Sequence, residues 1–221
     1  MTAIERRYAK AGLVYYTPRE EMVHTLTHAL GALAAPVLLV LMLRRATTPA
    51  SIAAAVISCA QLFVQFAASA AYHARRDLER KRLLRSLDYP AVSLNVLACG
   101  TMFSLLYGRI YGYVAYGVSI VLVLVTLVLC LRNFNRYKPL GVVVAFVVGA
   151  LMFGSFLSAY LSPAGIVHKY PVVWLHLAGL LSSLAGAAVF GVHRPYVHAV
   201  FHVFVLFGSI LCMVGNLLQL T

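Results

Sequence analysis

Seven apolar stretches dominate this chain of 221 residues, near 22–43, 50–73, 88–107, 111–131, 139–161, 171–191 and 197–219. Each is long enough to cross about 30 Å of hydrocarbon at roughly 1.5 Å per helical residue. Segments of that kind have few structural options, because a backbone amide that meets lipid must be paired within its own segment. The pattern therefore predicts an all-α integral membrane protein: a seven-transmembrane helix bundle over residues 22–221, behind a polar N-terminal segment, 1–21. With 62% hydrophobic and 11% charged residues, the chain lacks the polar surface that a soluble domain of this size needs.

Charge then orients the bundle. The first twenty residues hold Glu5, Arg6, Arg7, Lys10, Arg19 and Glu20 with no apolar core, so no cleavable signal peptide is expected. Fourteen of the eighteen lysines and arginines fall in the N-terminal segment and the second, fourth and sixth connections. Arg44, Arg45, Arg109 and Lys169 lie in the others. The positive-inside rule places the N-terminus in the cytoplasm and, after seven crossings, the C-terminus outside, in a multi-pass protein of the plasma (inner) membrane. Tyr107, Tyr111, Tyr113, Tyr160, Tyr170 and Trp174 gather near the outer ends, as interfacial aromatics do. The formal charge of +12 is spread over these connections and forms no basic face with interleaved aromatics, which argues against nucleic acid as a partner. Cys59, Cys99, Cys130 and Cys212 sit inside spans, form no C-x-x-C pair and read as small apolar packing residues.

With this topology, the ionisable groups of the spans meet at one membrane depth. His73 and Ser69 end the second span, Asp88 opens the third, and His198 and His202 open the last. The first span begins on the same side with Glu20, Glu21, His24 and His28. Ionisable groups at bilayer depth are costly and usually mark function. The His198-x-x-x-His202 spacing sets two imidazoles on one helical face, and His73 supplies a third neutral nitrogen, the ligand set of a catalytic zinc with a fourth position left for water. Zinc acidifies such a water, and Asp88 would serve as general base or orient a ligand; its alternative role is the N-cap of the third span. Ser69, one turn deeper than His73, would donate to a ligand or a developing oxyanion, or simply bond to its own helix. His24 and His28 read as a second metal pair or as packing residues, and Glu20 and Glu21 as a solvated helix start. His168 and His176 fall on the outer side; His193 lies in the last inner connection as a substitute ligand.

At these residues the chain resembles the haemolysin III group of the progestin and adipoQ receptor family. The resemblance rests on Glu21-Met-Val-His24-Thr-Leu-Thr-His28, Ser69-Ala-Ala-Tyr72-His73, Leu87-Asp88-Tyr89 leading to Cys99-Gly100-Thr101, and His198-Ala-Val-Phe201-His202. It covers the chain from about residue 20 to the C-terminus. It implies a zinc ion held by His73, His198 and His202 at the cytoplasmic side, with Asp88 contacting the zinc-bound water and Ser69 nearby. The related adiponectin receptors and alkaline ceramidases suggest hydrolysis of a lipid amide, whereas haemolysin III members were named for cytolysis and some are tied to membrane-lipid homeostasis. Two residues depart from the family pattern: His24 stands where Asn is usual, and Ser104 where a proline commonly follows the Gly-Thr turn.

Three functions follow as expectations. The first is a zinc-dependent hydrolase acting on a membrane-lipid amide or ester. The second is a lipid-homeostasis sensor or regulator with a structural zinc. The third is a cytolytic, channel-forming protein, although nearly absent interior charge offers little pore lining. No lysine lies in a predicted span to carry a retinal Schiff base, and no H-E-x-x-H occurs to make a zincin protease.

Overall fold

The computed structural model describes residues 1–162, 170–192 and 194–220. Among them it places eight α-helices: α1 (Ala3–Lys10), α2 (Pro18–Leu43), α3 (Pro49–Ala74), α4 (Leu78–Met102), α5 (Arg109–Arg132), α6 (Phe134–Tyr160), α7 (Tyr170–Phe190) and α8 (Val197–Leu218). No strand occurs among the described residues. Six continuous helical stretches are long and apolar enough to cross a membrane, and one of them, Arg109–Tyr160, has 52 residues. It divides at Asn133 into α5 and α6, of 24 and 27 residues. The chain is a multi-pass membrane protein.

Local sequence explains where the helices start. Thr17 and Thr48 are N-caps, each followed by proline at the first helical position, which needs no amide donor. Glu20 completes a capping box with Thr17. Asp77 caps α4 by accepting from the Arg80 amide at 2.9 Å. The fourth helix therefore starts ten residues before Asp88, and the N-cap role weighed for Asp88 belongs to Asp77. The Tyr107–Gly112 connection shrinks to Gly108, because a π-helical turn, Phe103–Tyr107, carries the chain nearly to α5. That irregular turn includes Ser104, so the helix deviates there without a proline.

Packing sorts each helix into two faces. On α2, Glu20, His24, His28, Gly31, Ala35, Leu38 and Met42 are buried at three- and four-residue intervals, while Met22, Leu26, Leu30, Leu33 and Val37 are exposed, toward lipid. The main core joins α2, α3, α4 and α8 through residues such as Met42, Leu62, Phe66, Met102 and Met213. Helix α4 touches α3, α5, α6 and α8, and α8 closes back onto α2. Where α7 meets α8 the backbones nearly touch: a Cβ at Gly208 would lie 2.8 Å from the Gly179 carbonyl oxygen. Only glycine permits that approach. The consequence for function is geometric: the starts of α2, α4 and α8 and the end of α3 share one end of the bundle.

Candidate metal centre

Three local devices bring that end together. Helix α3 stops at Ala74 because Arg75 turns extended, and α4 begins three residues later, which lays Lys81 beside the end of α3. The Lys81 ammonium donates to the Tyr72 carbonyl oxygen at 3.0 Å and lies 4.5 Å over the Tyr72 ring. Tyr196, left-handed at φ 62°, precedes α8 and donates its amide to Glu20 Oε1 at 2.9 Å. That bond pins the start of α8 to the start of α2. The N-terminal segment then folds over the mouth: Gly12 at φ +70° turns the chain after α1, and the Arg85 guanidinium holds the Gly12 carbonyl oxygen.

Within this end, His73, His198 and His202 offer donor atoms that all lie within 4.8 Å of one another. His198 Nε2 and His202 Nε2 are 3.1 Å apart. The sequence spacing is thus realised: two imidazoles on one face of α8 meet a third from α3. Nε2 of His73 and Nδ1 of His202 are buried with no hydrogen-bond partner, as donor atoms aimed at a ligand would be. Three neutral imidazoles suit zinc among common divalent cations, so the donor set fits the metal that the resemblance implies.

The surrounding shell is where sequence reasoning fell short. Glu21 is no solvated helix start: its Oε2 lies 2.7 Å from His73 Nδ1 and its Oε1 2.8 Å from Lys81 Nζ. A carboxylate on one ring nitrogen fixes the tautomer and leaves Nε2 as the donor, the usual support of a metal-bound histidine. Glu20 is also buried, committed to its capping box and to Tyr196. Lys81, counted above as a loop cation that sets topology, is fully buried in the first turn of α4. One signal in the sequence could have found it, since Asp77 is an N-cap residue type and starts the helix before Lys81.

His24 and His28 enter the site too. His24 is fully buried, and its donor atoms group with those of Glu21 and His73 within 4.8 Å. His28 stacks on His202 with ring centres 3.7 Å apart and rests edge-on against Phe66. Tyr16, just before α2, stacks on His198 at 5.1 Å and meets His24 edge-on at 4.9 Å, covering the cluster from the membrane surface. Burial first, then nearby Tyr89, Glu21, Glu20 and Asp88, pushes the Tyr16 phenol up, so it stays neutral.

Asp88 lies inside α4 rather than at its start, and Ser69 is buried on α3 one turn from His73. Asp88 stands outside both groups of mutually close donors, so the structure does not bring it together with the three imidazoles as a ligand. His176 is held at the far end by Val172 and Asn216. His168, His193 and Lys169 lie outside the described residues.

Comparison with known proteins agrees over nearly the whole chain. The family model described as haemolysin-III related matches residues 16–213, which include every member of the cluster. The chain is also similar to the Hemolysin-3 homolog of Bacillus subtilis (strain 168), at 26% identity over 200 residues, 88% of this chain and 91% of the relative.

Proposed function

Because this chain belongs to the haemolysin-III related family, we propose that it holds a zinc ion through His73, His198 and His202 and hydrolyses an amide or ester bond of a membrane lipid. The helices α2 to α8 would cross the plasma (inner) membrane seven times, with the N-terminus and the centre at the cytoplasmic side. The observation that carries the reading is the convergence of three imidazoles from α3 and α8, with donor atoms within 4.8 Å of one another.

Zinc, when bound, supplies a Lewis acid that polarises a carbonyl and acidifies water. The chain's own residues do the rest. Glu21 orients His73 and fixes its tautomer through the 2.7 Å contact to Nδ1. Lys81 neutralises Glu21 at 2.8 Å, so the carboxylate is not left buried and unpaired. Asp88 takes and returns the proton at its carboxylate, and Ser69, buried one turn from His73, holds that carboxylate in place. Tyr16 and the strap tied to Arg85 keep bulk water from the inner face.

The test is release of free fatty acid by purified protein in lipid, with His73→Ala and Asp88→Asn as variants. Activity should vanish in both. Turnover that survives both substitutions rejects the mechanism. A second reading, a lipid-homeostasis regulator with structural zinc, draws on the fully buried His24 beside the three proposed ligands. It expects bound zinc, no turnover, and a cellular lipid phenotype that persists in Asp88→Asn.

A further inference from the structure

A second polar site lies at the same end of the bundle, with no histidine on its described wall. The early turns of α4, the end of α5 and the start of α6 enclose a cavity of about 530 Å³. Arg82, Arg85 and Arg132 line it against one acid, Glu79. None of the three arginines forms an ion pair among the described residues. Arg85 stands out, because it is only 8% exposed and its Nε is buried without a hydrogen-bond partner. Its guanidinium is otherwise fixed in place: it holds the Gly12 carbonyl oxygen and lies 3.8 Å over the Phe134 ring.

A buried guanidinium with a stranded N–H weakens the fold unless an acceptor, best an anion, reaches it. The planar fork of arginine suits phosphate, and two further arginines on the same wall raise the attraction. The cavity has the volume of a small-molecule site, within the usual range of about 300–1,000 Å³. Its other residues point to where that phosphate comes from. Leu83 and Leu131 stand on the same wall and are 58% and 45% exposed. A free phosphate ion has no use for exposed leucines, whereas a lipid brings acyl carbons directly behind its headgroup. The cavity also opens where α5 ends and α6 starts, the level at which spans leave the hydrocarbon and headgroups begin. Basic pockets between membrane helices at that level are built to take anionic headgroups.

We infer that this cavity binds the phosphate of an anionic membrane lipid. The Arg85 Nε–H donates to a phosphate oxygen, Arg82 and Arg132 approach the headgroup from the exposed rim, and Leu83 and Leu131 meet the acyl chains. The site is separate from the histidine cluster and stands whether or not that cluster holds a metal. One side chain links the two, since Arg85 also holds the Gly12 turn of the N-terminal segment that covers the histidines.

The experiment uses the full chain in neutral detergent micelles, with native mass spectrometry to count and titrate bound lipid. The probes are phosphatidylglycerol, phosphatidylcholine with the same acyl chains, and inorganic phosphate. The wild type should take up one phosphatidylglycerol at least about tenfold more tightly than phosphatidylcholine, and inorganic phosphate should not displace it. A basic residue near a lipid surface is worth about fivefold in affinity, so Arg82→Gln combined with Arg132→Gln should weaken phosphatidylglycerol binding about 25-fold. Arg85→Lys keeps a cation but removes Nε, and should weaken it by at least about fivefold. Arg6→Gln combined with Arg7→Gln removes the same charge from exposed positions of α1 and should change nothing. Equal binding of the two lipids by the wild type overturns the inference, and so does displacement by inorganic phosphate, which would make the cavity a free-anion site. An equal loss in the Arg82/Arg132 and Arg6/Arg7 pairs overturns it too, because diffuse surface charge would then hold the lipid. Arg82 and Arg132 are exposed, so that pair reads the site without disturbing the buried Arg85.

Discussion

The two ends of this bundle bury the same side chain in opposite ways. At the end opposite the cluster, His176 Nδ1 meets the Val172 carbonyl oxygen at 2.8 Å and Nε2 meets Asn216 Oδ1 at 3.1 Å. Asn216 in turn donates to the Ala98 and Cys99 carbonyl oxygens at 3.3 and 3.2 Å, which ties α7 and α8 to α4. At the end that carries the cluster, both nitrogens of His28, Nε2 of His24 and His73 and Nδ1 of His202 are buried without a hydrogen-bond partner, and His24 Nδ1 has only Glu21 Oε2, at 3.9 Å. A buried polar group left unpaired costs about 1–3 kcal/mol. A satisfied imidazole such as His176 holds helices together; a cluster of unsatisfied ones weakens the fold unless a ligand collects them. Burial alone does not separate structural from functional histidines, but the fate of the ring nitrogens does.

The sharpest way to break this contrast is to delete one imidazole from each end. His202→Ala should abolish bound zinc, measured as metal content after a chelator wash. His176→Ala should leave one equivalent in place and lower unfolding stability by about 1–3 kcal/mol, the cost of stranding Asn216. Loss of metal in both variants would mean that the ends are not independent.

A smaller effect is expected from the shell. Glu21→Gln keeps the shape but removes the charge that supports His73, so zinc affinity should fall about 10–100-fold. Lys81→Met strands the Glu21 carboxylate and should destabilise the protein by about 3–5 kcal/mol. Combined with Glu21→Gln, it should regain most of that stability and none of the affinity. Additive losses in the double variant, measured by thermal unfolding, would show that the ion pair does not join α2 to α4 as the 2.8 Å contact indicates.

How far the sequence reached also follows this division. The helices were legible because apolar length is a long-range signal that survives errors at either end: the expected 50–73 span became Pro49–Ala74. The His198-x-x-x-His202 face was legible because helical spacing fixes it. Glu21 and Lys81 were not, because a charge next to a span reads as solvated by default and only packing shows that it is covered. Asp88 was misplaced for a related reason. The charged turn Asp77–Arg85 looks like a loop on a hydropathy scale, although Asp77 caps a helix whose Lys81 and Arg85 are buried. His24 reads from the sequence as half of a second metal pair or as a packing residue, and nothing local in the sequence tells how many other rings it meets.

The smallest effect is expected midway between the ends, where the polar groups are satisfied and no ligand is implied. Gln61 Nε2 donates to the Tyr116 hydroxyl at 2.7 Å, and the Thr101 hydroxyl lies 3.0 Å from Gln61 Oε1, joining α3, α4 and α5. Tyr116→Phe removes one acceptor from this network and leaves the ring packed as before. Interhelical hydrogen bonds of this kind in membranes average about 0.6 kcal/mol and rarely exceed about 1.7. Unfolding stability should therefore drop within that range, with zinc affinity unchanged. A fall in affinity would mean that Gln61, three turns below His73 on α3, passes strain to the centre, and that the middle of the bundle belongs with its histidine end rather than the opposite one.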